Sequence, residues 1–364
     1  MKMTIGKGSA RRVLCCFGLR RGLVVLSLAA GIAVFVVRGC AVRVRLSEWE
    51  VLEGGLEKAE LHVEAPGAAE EHPILAVRVC PATWELCLAA ASPQQKGGRK
   101  TAREWAEAEG YALAVNGGMY HASNLHDGFL QHRGQVLNEA TNHYQSVAVF
   151  DPLVEDAPPF RLVDVDTPGM TIEILRTQYA SLIQNLRLIR HSGENRWSRQ
   201  ERKWSEAALG EDEQGRMLFI FSRTPYSMFD FNKILLKANL GLVSAQHLDG
   251  GPPAQLYLKV GYVEIEQAGS YETGVNENDN LRKPRKIPIV LGLRKRATPV
   301  YRPATEPLRG RRHRGARGIL GGQPGLSGTR SGRAQGIPGH PRPPGARRHQ
   351  LGAGMHPGGT ACRI

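Results

Sequence analysis

Two short stretches carry the residues best suited to chemistry. YALAVNGGMY (111–120) and SAQHLDGGPPAQLYL (244–258) each run an apolar, strand-like segment into a short polar side chain and then into Gly-Gly. A carboxamide (Asn116) or carboxylate (Asp249) at the end of a buried strand stands where rigid scaffolds present reactive groups on loops. Gly117, Gly118, Gly250 and Gly251 permit positive φ and leave backbone N–H groups open to a ligand. Asn-Gly and Asp-Gly are equally the residues of common hairpin turns, so either stretch alone is compatible with a turn or a site. Pro252-Pro253 disfavours a simple two-residue hairpin and sets the second stretch apart.

Other candidates lie between them. HASNLHDGFLQHRG (121–134) contains His121, His126, Asp127 and His132. No helical i, i+4 pair with a third ligand is evident there, so the spacing reads as a polar surface loop rather than a metal site, with Asp127-Gly128 able to approach a substrate. SLIQNLRLIR (181–190) sets Gln184, Asn185 and Arg187 in an apolar segment, and a buried guanidinium needs a partner, protein or ligand. Arg223 follows the apolar run MLFIFS (217–222), with Asp230 as a structural ion-pair alternative. Glu206 lies within KWSEAALG (203–210). No cofactor is expected, and nothing indicates a divalent cation.

The elements that would position these groups read as more strand than helix. ILAVRVC and WELCLAAA read as a hairpin turning at Pro81, YALAVN, SVAVFDP, MLFIFS and QLYLKVG as strands, and KIPIVLGL as the last strand. TAREWAEAEG (101–110) has a polar N-cap and a glycine stop, and FDFNKILLKANLG (229–241) has helical spacing with a glycine C-cap. Thr177–Ile189 is ambiguous between helix and strand pair. The expectation is a single-domain α+β body: a mixed β-sheet with a few packed helices.

Charge divides the chain. The formal +14 is concentrated at the ends: residues 1–45 hold nine Lys/Arg and no acid, and 294–364 hold fifteen against Glu306 alone. The middle, 46–293, keeps 24 basic and 33 acidic residues, a net of −9. An acidic body argues against nucleic acid as a partner. Six basic residues precede the apolar run GLVVLSLAAGIAVFVV (22–37), the pattern of a signal peptide or signal anchor, so residues 1–45 are expected to direct export and to contact the membrane. Residues 46–73 read as a polar connector. In 294–364, 24 of 71 residues are Gly or Pro, the composition of a disordered tail. Cys80 and Cys87 are expected either to form a disulfide after export or to be two buried thiols.

NGGMY, SEAALGEDEQGRMLFIFSR, the FDFNKILL helix and LDGG before QLYL, in this order, resemble the phosphodiester glycosidase family over about residues 74–293. The resemblance implies hallmark turns at Asn116–Gly118 and Asp249–Gly251 and a functional arginine at Arg223. Two stretches depart from the family's pattern: Pro252, Pro253 and Ala254 where glycine and serine commonly follow, and Ser222 where a glycine commonly precedes the arginine. They suggest an exported bacterial subgroup.

The implied chemistry is hydrolysis of a sugar-1-phosphodiester through an oxocarbenium-like transition state. Asp249 would serve at the anomeric carbon. Arg223, Arg187 and the glycine N–H groups would hold the phosphate, Asn116 and Gln184 would orient the sugar, and Asp127 or Glu206 would be a second carboxylate. The expected partner is a carbohydrate or glycosyl phosphate of an envelope or extracellular glycan, with a non-catalytic glycan-binding protein as the alternative.

Overall fold

The computed structural model describes residues 42–64, 72–92 and 98–297; the basic apolar leader up to residue 41 and the tail beyond 297 lie outside them. The described residues fall within one unit. Its strands are β1 (Arg43–Leu46), β2 (Glu50–Glu53), β3 (Leu56–Glu64), β4 (Ile74–Val79), β5 (Trp84–Ala90), β6 (Leu113–Asn116), β7 (Leu130–His132), β8 (Gln135–Asn138) and β9 (Ser146–Pro152). They continue as β10 (Phe160–Asp164), β11 (Tyr179–Asn185), β12 (Arg187–Ile189), β13 (Trp204–Asp212), β14 (Met217–Tyr226), β15 (Leu242–Gly250), β16 (Gln255–Val260), β17 (Val263–Ala268) and β18 (Ile289–Lys295). The helices are α1 (Ala102–Glu109), α2 (Ile172–Gln178) and α3 (Met228–Lys237).

These strands make three sheets. The largest runs β1-β3-β4-β14-β13-β15-β12 with β2 beside β3; the second runs β10-β9-β11-β7-β8; the third runs β17-β16-β6-β18-β5. Every pairing among the described strands is antiparallel, so the expected mixed sheet is corrected to antiparallel sheets with little helix.

One core joins the inward faces of all three sheets: Val77, Phe219 and Leu248 from the first, Phe150 and Ile183 from the second, Val115, Leu256 and Leu291 from the third. Each outward face is covered near one helix. Phe231 and Leu235 of α3 pack on Ala76 and Ile220, Trp105 of α1 packs with Ala114 and Tyr257, and Leu175 of α2 packs with Val149 and Leu182. With both faces buried, β14 alternates Met217, Phe219 and Phe221 into the common core against Leu218 and Ile220 under α3. It therefore reads as a continuous apolar run. At roughly 25 cal/mol per Å2 of apolar surface, a buried Phe or Leu contributes about 1.5–3 kcal/mol.

Local signals fix α1. Thr101 caps it in a full capping box with Glu104, and Gly110 ends it at φ 69. The helix around FDFNKILL starts earlier than expected, after the Ser227 cap, and ends at Ala238 rather than at Gly241. Thr177–Ile189 resolves into the end of α2 followed by β11 and β12.

Two pairings differ from expectation. β4 and β5 form no hairpin: β4 pairs with β3 and β14, while β5 pairs with β18 in the third sheet. The chain crosses between sheets at Pro81–Thr83, and both strands still feed the common core. The segment read as a connector contains β3, in register with β4 and burying Leu56 and Leu61. Its charged residues masked the alternation, and Glu57 pairs with Arg78 across the two strands at 2.5 Å. Cys80 and Cys87 are buried and not joined in a disulfide, and burial, with Glu85 adding, pushes the Cys87 thiol up to about 12.

Candidate active site

The turn after Asp249 carries the chain between sheets. β15 ends at Gly250 in the first sheet, and β16 begins at Gln255 in the third, beside the end of β6. Asn116 ends β6, and its Oδ1 accepts the backbone N–H of Gln255 at 2.9 Å. The two Gly-Gly motifs, far apart in sequence, are thus joined directly. A hairpin would have returned β16 to β15; Gly251 at φ 64 followed by Pro252-Pro253 diverts it instead.

The glycines serve close packing more than ligand donation. Added Cβ atoms would run into the Trp204 ring at Gly250, the Glu272 side chain at Gly251, Ile289 at Gly117, and Asn185 and His126 at Gly118. The N–H of Gly251 donates to Ser205 O, that of Gly250 to Asp249 Oδ1, and that of Gly117 to Ile289 O, at 2.8, 2.8 and 2.9 Å. The expectation of open N–H groups at these three glycines is therefore corrected: protein acceptors occupy them.

Asp249 is recessed. Burial pushes its carboxyl up to about 7, with Glu206 and Glu272 adding to the shift and His247 and the Gly250 N–H opposing it. The bulged register between β13 and β15 sets Ala207 opposite Asp249 and Ala208 opposite His247. Glu206 Oε1 meets His247 Nδ1 at 2.5 Å, and Glu206 Oε2 accepts from Trp204 Nε1 at 2.6 Å, both carboxylate and imidazole being buried. Burial alone would lower His247, but the charge and hydrogen bond of Glu206 hold it above its ordinary value. The Glu206 carboxylate is fully engaged and reaches Asp249 through its charge. Glu272 packs over Gly251, its carboxyl raised by burial against the nearby Arg202 and Arg285.

On the other side stand Tyr120 and Tyr144, whose hydroxyls are both raised, first by burial, and both feel the charge of Asp249. Tyr144 donates to Asp127 Oδ2 at 2.8 Å, and Asn142 Nδ2 reaches Asp127 Oδ1 at 3.2 Å. Tyr144 therefore links Asp127 to the surroundings of Asp249. Gln184 is spent on architecture: its Oε1 accepts from Phe129 N and its Nε2 donates to Tyr144 O, at 3.0 and 2.8 Å. Neutral His126, lowered by burial to about 4, donates from Nε2 to Gln184 O at 2.7 Å; it is buried, not on the surface of its loop. Asn116 Nδ2, Asn185 Oδ1 and His126 Nδ1 are buried without a partner among the described residues, a concentration of unsatisfied atoms around the Asn-Gly-Gly turn.

The two arginines expected to hold phosphate have protein partners. Arg187 bonds Asp164 and Asp166 at 3.0 and 2.8 Å. Arg223 donates to the carbonyls of Ala268 and Leu281 and pairs with Asp279 at 2.6 Å; Asp230 instead accepts from its own cap, Ser227. Arg223 thereby ties down the 268–281 segment that carries Glu272.

The structure thus gathers Asn116, Gly117, Gly118, Asp249, Gly250, Gly251, Glu206 and, through Tyr144, Asp127; it gives Gln184, Arg187 and Arg223 scaffold contacts. Sequence reasoning missed His247, two residues before Asp249, and Tyr120, directly after NGGM. Tyr144, Glu272 and Arg285 lie in loops without any period to single them out. Among the described residues no group of three or more His, Cys, Asp or Glu is arranged to hold a metal.

Residues 109–294, just over half of the chain, match a family model described as phosphodiester glycosidase. No curated protein matches the chain. Among solved structures it is similar to a hypothetical protein from Synechocystis (TM-score 0.49, 13% identity, covering 70% of this chain and 68% of that one). It is also similar to the catalytic domain of zebrafish N-acetylglucosamine-1-phosphodiester alpha-N-acetylglucosaminidase, auto-inhibited by its pro-peptide (TM-score 0.47, 15% identity, covering 72% and 91%).

Proposed function

The chain belongs to the phosphodiester glycosidase family, and from that premise we propose that it hydrolyses the bond between a sugar's anomeric carbon and a phosphodiester, with Asp249 as the carboxyl group at that carbon. The observation that carries this reading is the meeting of the two Gly-Gly turns, both inside the matched span, around a recessed carboxyl raised to about 7.

In the reaction the C1–O bond breaks, its electron pair leaves with the phosphate, and water supplies the new hydroxyl at C1 while its other proton passes to the solvent. Phosphate is a good leaving group, so stabilising positive charge at C1 matters more than protonating the departing oxygen. Asp249 in its ionised form supplies that stabilisation. Asp127, held by Tyr144 and Asn142, and the spare amide donor of Asn116 orient sugar hydroxyls. The Glu206–His247 pair acts on Asp249 through its charges. Export, and a substrate in an envelope or extracellular glycan, are supported by the basic-then-apolar sequence of the leader.

The test is an assay of the purified protein against UDP-N-acetylglucosamine and aryl glycosyl phosphodiesters, beside Asp249→Asn. The wild type should release free sugar, and the variant should be slower by about a thousandfold or more, comparable to losing a principal electrostatic group. Full activity in the variant would remove Asp249 from the chemistry. No cleavage of any sugar phosphate would favour a glycan-binding protein.

A further inference from the structure

We propose that the substrate's phosphate is received by Arg285, acting with Tyr120 and Arg99, and that Arg223 is a scaffold residue. This deepens the reading above and rests on it for the identity of the substrate. A glycosyl phosphodiester presents its phosphate within a bond or two of C1, so its receptor must flank the carboxyl that serves C1. Arg187 and Arg223, engaged by carboxylates and carbonyls, offer no unoccupied fork for it.

Arg285 meets the requirement from two directions. Its guanidinium acts on the Tyr120 hydroxyl through its charge, and Tyr120 lies in the field of Asp249. The same guanidinium acts on Glu272, which packs on Gly251 two residues beyond Asp249. Tyr120 and Glu272 each share an electrostatic coupling with Asp249 and with Arg285, so the guanidinium belongs to the same surroundings as that carboxyl. The backbone fixes this position: Arg285 O accepts from Gln255 Nε2, while Gln255 N donates to Asn116. The loop is therefore pinned to the turn that joins the two motifs. Arg285 is exposed, and among the described residues it is not within ion-pair distance of any carboxylate, Glu272 included.

Arg99 completes the receptor. Its guanidinium stands 4.9 Å from the Tyr120 ring centroid and is oriented by Asn124 Oδ1 and Ala122 O at 2.6 and 3.1 Å. A planar guanidinium with forked donors fits a phosphate better than an ammonium does. The arrangement separates the two ends of the scissile bond, with cations at the rim for the phosphate and carboxyls below for the sugar. As the C1–O bond breaks, the negative charge that grows on the phosphate is taken up by Arg285, with the Tyr120 O–H as a further donor.

The test titrates the full chain with inorganic phosphate by calorimetry at low ionic strength, beside Arg285→Ala, Arg285→Lys and Arg282→Ala. Arg282 is an exposed neighbour paired with Asp279, so its variant removes the same charge from the same loop. Arg285→Ala should weaken phosphate binding by about ten- to a hundredfold, the range for a charge-assisted bond. Arg285→Lys should recover part of it, and Arg282→Ala should change it less than about twofold. Equal affinity in Arg285→Ala, equal losses in both alanine variants, or no phosphate binding by the wild type would overturn the assignment. Diester cleavage separates the two readings. Cleavage with phosphate binding insensitive to Arg285 sinks only the assignment, whereas phosphate binding lost in Arg285→Ala without any cleavage sinks only the hydrolase reading.

Discussion

Asp249 makes the site's chemistry measurable without a substrate. Its ordinary value is 3.8, and burial raises it to about 7 in the folded protein. Between those values the folded state binds the proton more tightly than the unfolded chain, so stability falls as pH rises from about 4 through 7. The penalty is fully present above 7. Asp249→Asn should remove that slope and be the more stable protein at pH 8, by about 2 kcal/mol once partial solvent screening is allowed for. Urea unfolding at pH 5 and pH 8 measures it, and an unchanged slope in the variant would place the titration elsewhere. Asp249 and Asn116 were legible as candidates because a polar residue ending an apolar strand before Gly-Gly leaves a local trace. Arg187 and Arg223 show the limit of that kind of reading. A buried arginine announces that it has a partner, but Asp164, Asp166 and Asp279 become partners only through the fold.

At the scale of elements, the Gly-Gly turns are packing devices. Gly251 combines a left-handed φ of 64 with the Glu272 side chain lying where a Cβ would go. Gly261 has nearly the same φ, 58, and open space around it. Gly251→Ala should therefore cost about 2–4 kcal/mol in urea unfolding and displace Glu272, lowering activity. Gly261→Ala should cost about 1 kcal/mol, the backbone strain alone, and leave turnover unchanged. Equal costs would mean that contact with Glu272 is not what requires glycine at 251. Elements with local punctuation were legible: α1 has its capping box and glycine stop, and β14 its apolar run. Strand partnership was not. A period-2 pattern tells which residues are buried but says nothing of which sheet a strand enters, and β4 and β5 adjoin in sequence while pairing in different sheets.

For the molecule as a whole, the charge-based division of the chain and its packing place the body's edge differently. Residues 46–73 are acidic and polar enough to read as a connector, yet β3 hydrogen-bonds along six residues of β4, from Leu56 opposite Val79 to Leu61 opposite Ile74. Leu56 enters the common core of the three sheets, and Leu61 enters the cluster under α3. Removing β3 would uncover β4 along its whole length and expose both clusters at once. Two buried leucines account for about 3–6 kcal/mol, before the loss of the ladder and of the Arg78–Glu57 pair, and a domain's entire margin is only about 5–15 kcal/mol. A chain starting at Ile74 and ending at Ala297 should therefore melt without cooperativity or aggregate, whereas residues 42–297 should melt cooperatively. Circular dichroism melts of the two chains decide it: a cooperative transition at the same temperature in both would mean that β3 is an accessory strand and that the folded body begins at β4.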